Sequence, residues 1–593
     1  MMRYLTDPPR FLFFTGKGGV GKTSVACATA VRMATAGQRV LLVSTDPASN
    51  LSQVFGVAIG DRITGIPSVP SLDALEIDPQ QAVEAYRERI IGPVRGVLPS
   101  EEIAAITESL SGSCTTEIAS FDEFTRLLTD ESAYGHYDHV IFDTAPTGHT
   151  IRLLQLPGSW TDFLSTGGDA SCLGPLTGLD AHRATYAAAL DALTDPSRTR
   201  LILVARPQLS ALQEIERTFA ELEGVGMTDA FVVINGLLPA SAGEEPIAHA
   251  LRMREAAAMA AVPAAIADLP RDVLELKADD VVGLGPVRAF FDAASADSST
   301  SQAVTLPEIP EAPLSVLVDV IEADGHGLVM CMGKGGVGKT TVAAAVALEL
   351  ATRGHQVLLT TTDPAAHLTE TLQADVEHLT VERIDPEQAI TEYRDRVMAG
   401  KGKALDDAGR AALAEDLRSP CTDEVAVFQQ FSHVVFRARK QFVVLDTAPT
   451  GHTLLLLDAT GSYHREITRQ MGDGARFVTP LMRLQDPSRT KVVIVTLPET
   501  TPVLEARELR DDLARAGITP WAWVVNASLT AAAPTSPFLR ARARAESPSL
   551  ASVARLCDRV AVLPLLAHEP VGAPALSELT ATPALTPTTQ ETS

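Results

Sequence analysis

The stretch FLFFTGKGGVGKTSVACATAVRMATAG, Phe11–Gly37, decides how this chain folds. An apolar run, FLFFT, enters a glycine-rich turn and leaves as a helix-forming segment that stops near Gly37. Its centre, GKGGVGKT from Gly16 to Thr23, fits G-x-x-x-x-G-K-[ST] in the strand-before, helix-after setting that gives the pattern its meaning. The same eight residues return from Gly333 to Thr340, inside GLVMCMGKGGVGKTTVAAAVALELATRG. Each copy is followed at the same distance by a TDP aspartate, Asp46 and Asp363, and later by DTAPTGHT, starting at Asp143 and Asp446. Two nucleotide sites have been placed in one polypeptide.

Working outward, each half continues with short, continuously apolar runs: RVLLVSTDP, HVIFDTAP, TRLILVAR and AFVVINGL, then QVLLTTTDP, FVVLDTAP, TKVVIVTLP and AWVVNAS. Such strands alternating with helices predict an α/β fold: tandem P-loop NTPase domains, each a mostly parallel sheet flanked by helices, the two related by a pseudo-two-fold. Ligands of such sheets bind beyond the strands' carboxyl ends, where both motif sets lie. The expected organisation is an N-terminal domain over 1–291, an Ala/Ser/Pro-rich linker over 292–313, a C-terminal domain over 314–575 and a disordered tail over 576–593. Segments near 80–135 and 387–440 have helical composition and are expected to form a helical subregion in each half.

At 593 residues the chain is too long for one hydrophobic core. Its formal charge of −25 argues against a phosphate-backbone binder, so no nucleic-acid partner is expected. The N-terminus lacks a cleavable-signal pattern, and no run approaches the roughly 18 apolar residues of a membrane helix. A cytoplasmic protein is expected, with peripheral contact at the inner face of the cell membrane left open. The six cysteines form no CxxC and no disulfide scaffold.

The loop residues Gly16, Gly18, Gly19, Val20 and Gly21, with Ser24, and Gly333, Gly335, Gly336, Val337 and Gly338, with Thr341, are predicted to cradle phosphate through backbone N–H groups and a helix N-terminus. Lys22 and Lys339 should reach the β/γ-phosphates of ATP, and Thr23 and Thr340 should ligate Mg²⁺. Asp143 and Asp446 end apolar strands and are expected to hold that magnesium through its waters. Asp46 and Asp363 end a different strand; they are candidates to orient the attacking water beside the metal, or to cap the next helix. Asn235 and Asn526 follow late strands, where adenine recognition and an ordinary loop asparagine are both compatible with position.

Cys114 and Cys421 align between the halves, SGSCTTEIASFDEF against RSPCTDEVAVFQQF, whereas Cys172 has no counterpart. His149 and His452 also match. Thiolates with some imidazole suit a thiophilic ion, and burial as small hydrophobes accounts for the same cysteines equally well. Cys27 and Cys331, inside a P-loop helix and a P-loop strand, read as packing.

Lys17 and Lys334, directly after the first loop glycine, mark the deviant Walker A subclass of P-loop ATPases. Together with the duplication and both DTAPTGHT strings, they make the chain resemble the arsenite/antimonite-stimulated pump ATPases (the ArsA family) over nearly its whole length. The resemblance implies that each extra lysine serves the nucleotide of the other half as a catalytic cation. It implies that Cys114, Cys172 and Cys421 bind As(III) or Sb(III), with His149, His452 and Ser419 as weaker ligands. The metalloid would be both activator and cargo, bridging the halves and favouring a closed, hydrolysing state. ATP turnover would then drive efflux through a separate membrane carrier, with a metallochaperone as a further partner and the chain itself a monomer with an internal pseudo-dimer. Two rival readings are an ATPase that targets tail-anchored membrane proteins and a partition-type binding protein. The missing CxxC and the tandem halves oppose the first, and the acidic charge opposes the second.

Overall fold

The computed structural model describes residues 2–45, 51–77, 79–92, 95, 103, 123–144, 179–292, 313–363, 368–400, 403, 405–406, 409–410, 413–414, 417, 420–447 and 479–581. The chain divides into two compact units, Met1–Glu244 with Ala248–Ser301, and Glu245–Ile247 with Gln302–Ser593.

The first unit is built on eight strands: β1 (Phe11–Thr15), β2 (Val40–Ser44), β3 (Thr64–Gly65), β4 (Leu72–Glu76), β5 (His139–Asp143), β6 (Thr199–Ala205), β7 (Ala230–Leu237) and β8 (Arg271–Glu275). They lie in the order β3-β4-β2-β5-β1-β6-β7-β8, every pairing parallel except the antiparallel β3–β4 edge. All five residues of β1, β2 and β5 are buried, which is why they read as unbroken apolar runs. Phe13 of β1 and Phe142 of β5 stack with centroids 4.5 Å apart, tying together the two strands that carry the loop and the aspartate. Helix α1 (Lys22–Thr35) packs on β1, β2 and β5 through Val25, Ala26, Cys27 and Ala30, side chains small enough for close approach. Helix α2 (Leu209–Glu223) covers β6 through Leu212, Ile215 and Phe219.

The second unit repeats the plan with β9 (Gly327–Met332), β10 (Val357–Thr361), β11 (Leu379–Arg383), β12 (Phe442–Asp446), β13 (Thr490–Thr496), β14 (Ala522–Ser528) and β15 (Val560–Pro564). Its order, β11-β10-β12-β9-β13-β14-β15, is that of the first unit without the antiparallel edge strand, and all its pairings are parallel. Helix α3 (Lys339–Thr352) follows its P-loop, and α4 (Thr500–Arg515) packs on β13. Helical segments Pro79–Ile91, Pro386–Gly400 and Pro420–Arg437 fall where helical composition placed them. The stretch expected as tail from 576 opens differently: helix Ala573–Glu578 crosses that point, because Leu576 and Leu579 bury in the core. Among the described residues no helix is long and apolar enough to cross a membrane.

Candidate nucleotide site

In each sheet the first strand lies between a strand that follows through β2 or β10 and one reached by the later chain, so chain order reverses beside β1 and beside β9. This is the crevice where parallel sheets receive ligands, and each glycine-rich loop emerges there. Gly21 and Gly338 end the loops with φ of 86° and 90°, just before α1 and α3 begin. A side chain at either position would strike the amide of Asn235 or Asn526. Those amides are what brace the loops: Asn235 Nδ2 donates to Val20 O at 2.8 Å and Asn526 Nδ2 to Val337 O at 3.0 Å. The two asparagines therefore reach the phosphate loop itself, a contact their positions in the sequence did not announce.

The loop lysines are buried and turn back over their loops, Lys22 Nζ donating to Lys17 O at 3.3 Å and Lys339 Nζ to Lys334 O at 3.1 Å. The first helical hydroxyls meet the strand-end aspartates. Thr23 Oγ1 donates to Asp143 Oδ2 and Thr340 Oγ1 to Asp446 Oδ2, both at 2.7 Å. Thr361, at the end of β10, adds a longer bond to the same Asp446 oxygen at 3.3 Å. Asp446 is fully buried, and this desolvation pushes its carboxyl up to about 6, with the Asp363 carboxylate adding to the rise while Thr340 and Lys339 oppose it. Its Oδ1 is buried and accepts no hydrogen bond.

Thus the second unit brings Lys339, Thr340, Asp446 and Asp363 into one site, and the first brings Lys22, Thr23 and Asp143 together. Asp363 follows β10, its backbone N–H bonded to Thr361 Oγ1 at 3.0 Å. Asp46 lies outside the described residues, as do Cys114, Cys172, His149, His452 and Ser419. Cys421 stands in the first turn of helix Pro420–Arg437. Among the described residues no group of three His, Cys, Asp or Glu side chains is placed to hold a metal ion. Cys27 and Cys331 are fully buried, and desolvation raises both thiols far above their ordinary value, as befits packing residues.

Sequence reasoning overlooked four contributors. Thr144 and Thr447, second in each DTAP string, send Oγ1 to Phe14 O at 2.8 Å and Cys331 O at 2.9 Å, locking each aspartate strand to its loop strand. Their repetition was visible and could have flagged them. Glu505 of α4, which pairs with Lys334, and Thr361 carried no local signal.

This arrangement defines a nucleotide hydrolase of the P-loop class, with its core present twice. A family model described as anion-transporting ATPase matches residues 9–177, 164–293, 326–484 and 476–583, and the chain belongs to that family; it is an ATPase. It is 56% identical over 583 residues to an arsenical pump-driving ATPase of Escherichia coli, covering 98% of this chain and all of that protein. A protein of the same name from Acidiphilium multivorum is 55% identical over 587 residues, again covering 98% of this chain and all of the relative. The ATPase GET3 of Eremothecium gossypii is a more distant relative, 34% identical over 260 residues, or 40% of this chain and 74% of that one.

Proposed function

We propose that this chain couples Mg-dependent ATP hydrolysis, stimulated by trivalent arsenic or antimony, to arsenical efflux through a separate membrane carrier. The observation that carries the reading is the full-length similarity to the Escherichia coli protein named as an arsenical pump-driving ATPase.

The site chemistry supports the hydrolytic half. Asp446 leaves one buried carboxylate oxygen without a hydrogen bond beside the Thr340 hydroxyl, an all-oxygen set that fits a hard divalent cation. Magnesium held there supplies charge neutralisation at the β/γ-phosphates. In this reading Thr23 with Asp143, and Thr340 with Asp446, position the metal, while the backbone of each glycine loop cradles the phosphates. Lys22 and Lys339 leave their loop carbonyls for phosphate oxygens. Asp46 and Asp363 orient the attacking water, and Lys17 and Lys334 provide cations for the charge that develops on the transferred group. Asn235 and Asn526 brace the loop through Val20 O and Val337 O. The thiols of Cys114, Cys172 and Cys421, aided by His149, His452 and Ser419, take the metalloid.

The test is steady-state MgATP hydrolysis by the purified chain with and without antimonite, alongside a Cys114→Ser/Cys421→Ser double variant. Stimulation in the parent that vanishes in the variant is expected. Hydrolysis indifferent to antimonite in both proteins would remove the metalloid from the reading and leave a plain ATPase.

A further inference from the structure

Lys334, the lysine after the first loop glycine, is tied down within its own unit. Its ammonium donates to the Glu505 carboxylate in α4, and both side chains are only 13% exposed. A charge-assisted contact at that depth is screened far less than a surface ion pair. The first unit has a glutamate at the matching place, Glu214 in α2, at the same distance beyond Pro207 as Glu505 lies beyond Pro498. There, however, Arg217 stands 3.6 Å from the carboxylate. The second unit puts Glu508 where that arginine would be, so α4 offers Glu505 no arginine one turn on.

We propose that Glu505 is a positioning residue that parks Lys334 within its own unit and must release it before ATP is hydrolysed. An ammonium engaged with a carboxylate cannot give its full charge to a phosphoryl group. A contact that has to break on the way to hydrolysis lowers the state that holds it and so raises the climb to the hydrolysing one. The inference rests on the reading that Lys334 meets phosphoryl charge, and its place in the second unit makes the parked lysine a feature of one half.

The experiment uses the full chain and measures MgATP hydrolysis without metalloid for the parent, Glu505→Gln, Lys334→Ala and the double variant. Loss of one charge-assisted bond predicts that Glu505→Gln raises basal hydrolysis about tenfold. Stimulation by antimonite should shrink by a like factor. Glu505→Asp, which keeps the charge, should return basal hydrolysis towards the parent rate. The gain must disappear in the double variant, a dependence that a purely structural glutamate would not show. A Glu505→Gln rate equal to or below the parent, or a gain that survives loss of Lys334, overturns the proposal. Parental hydrolysis by Lys334→Ala would instead overturn the assigned role of the lysine, and the parking idea with it.

Discussion

Glu546 offers a sharp test of how the strand that carries Asn526 is held. Its carboxylate is buried and accepts four hydrogen bonds: from Ser528 Oγ at 2.8 Å, Leu529 N at 2.8 Å, Thr530 N at 3.0 Å and Thr530 Oγ1 at 2.7 Å. In Glu546→Ala the Thr530 hydroxyl keeps a second acceptor, Ala543 O at 2.8 Å, so the cost falls mainly on two backbone N–H groups and the Ser528 hydroxyl. At about 1–3 kcal/mol for each buried donor left unpaired, and less the relief of a desolvated carboxylate, the net loss should be about 2–4 kcal/mol. Glu255 is the corresponding residue of the first unit, half-buried and bonded to one donor, Leu238 N, at 3.0 and 3.2 Å to its two oxygens. Glu255→Ala should therefore cost only about 1–2 kcal/mol. The assay is urea unfolding followed by far-UV circular dichroism, which registers both units, with tryptophan fluorescence in a Trp160→Phe background isolating the second unit, where Trp521 and Trp523 are buried. Equal losses in the two variants, or a Glu546→Ala loss below about 1 kcal/mol, would refute the donor-counting argument. The sign of the pH effect follows from the same burial, which raises the Glu546 pKa in the folded state. Its stabilising contribution is complete below the unfolded-state value and is lost as pH rises through the folded one. Glu546→Gln should flatten that part of the stability profile.

Gly338→Ala forces an alanine into a left-handed conformation and against the Asn526 amide. Strain plus the lost Asn526–Val337 bond should weaken ATP binding at the second site by about 2–3 kcal/mol, measured by calorimetry; an unchanged affinity would sink the bracing role. Thr447→Val removes the bond to Cys331 O and should cost about 1 kcal/mol in denaturant unfolding, with Thr144→Val doing the same in the first unit. Asp446 stands at about 6 when folded, against an ordinary 3.8, so in metal-free protein its contribution is intact below the ordinary value and is lost as pH rises through 6. The thermal stabilisation given by Mg-nucleotide should accordingly be larger near about pH 7.5 than near about pH 5.5, and equal shifts in a melting experiment would contradict the assignment.

The fold was legible because its signals are local. A loop that needs glycine, lysine and threonine at set spacings, following a run of buried β residues, announces strand, turn and helix together, and Asp143 and Asp446 announce themselves at the ends of two such runs. What stayed hidden is long-range. Nothing near Glu505 shows that α4 aims it at a loop lysine 171 positions away. Thr361 reads as one more β-branched strand residue until Asp446 is found beside it. The small antiparallel edge Thr64–Gly65 is too short for periodicity to register. Leu576 and Leu579 sit among the alanines, prolines and threonines that make the C-terminal stretch look unstructured, and only their burial shows the helix.

The two units keep the same loop and the same threonine–aspartate pair; the supports around that pair are where they diverge. At the bulge after the asparagine strand the first unit has Gly236 at φ 84°, whereas the second has Ala527 at φ 55°. An alanine held there carries about 1 kcal/mol of strain that a glycine does not. Strain of that kind persists only where neighbours over-determine the backbone. The four-donor Glu546 anchor begins at the very next residue, while the glycine-bearing unit manages with a single donor on Glu255. The parked Lys334 lies in the same, more heavily braced unit. Release of Lys334 from Glu505 is then a step added in the more heavily braced unit, and unequal turnover by two sites of the same chemistry is the expected consequence.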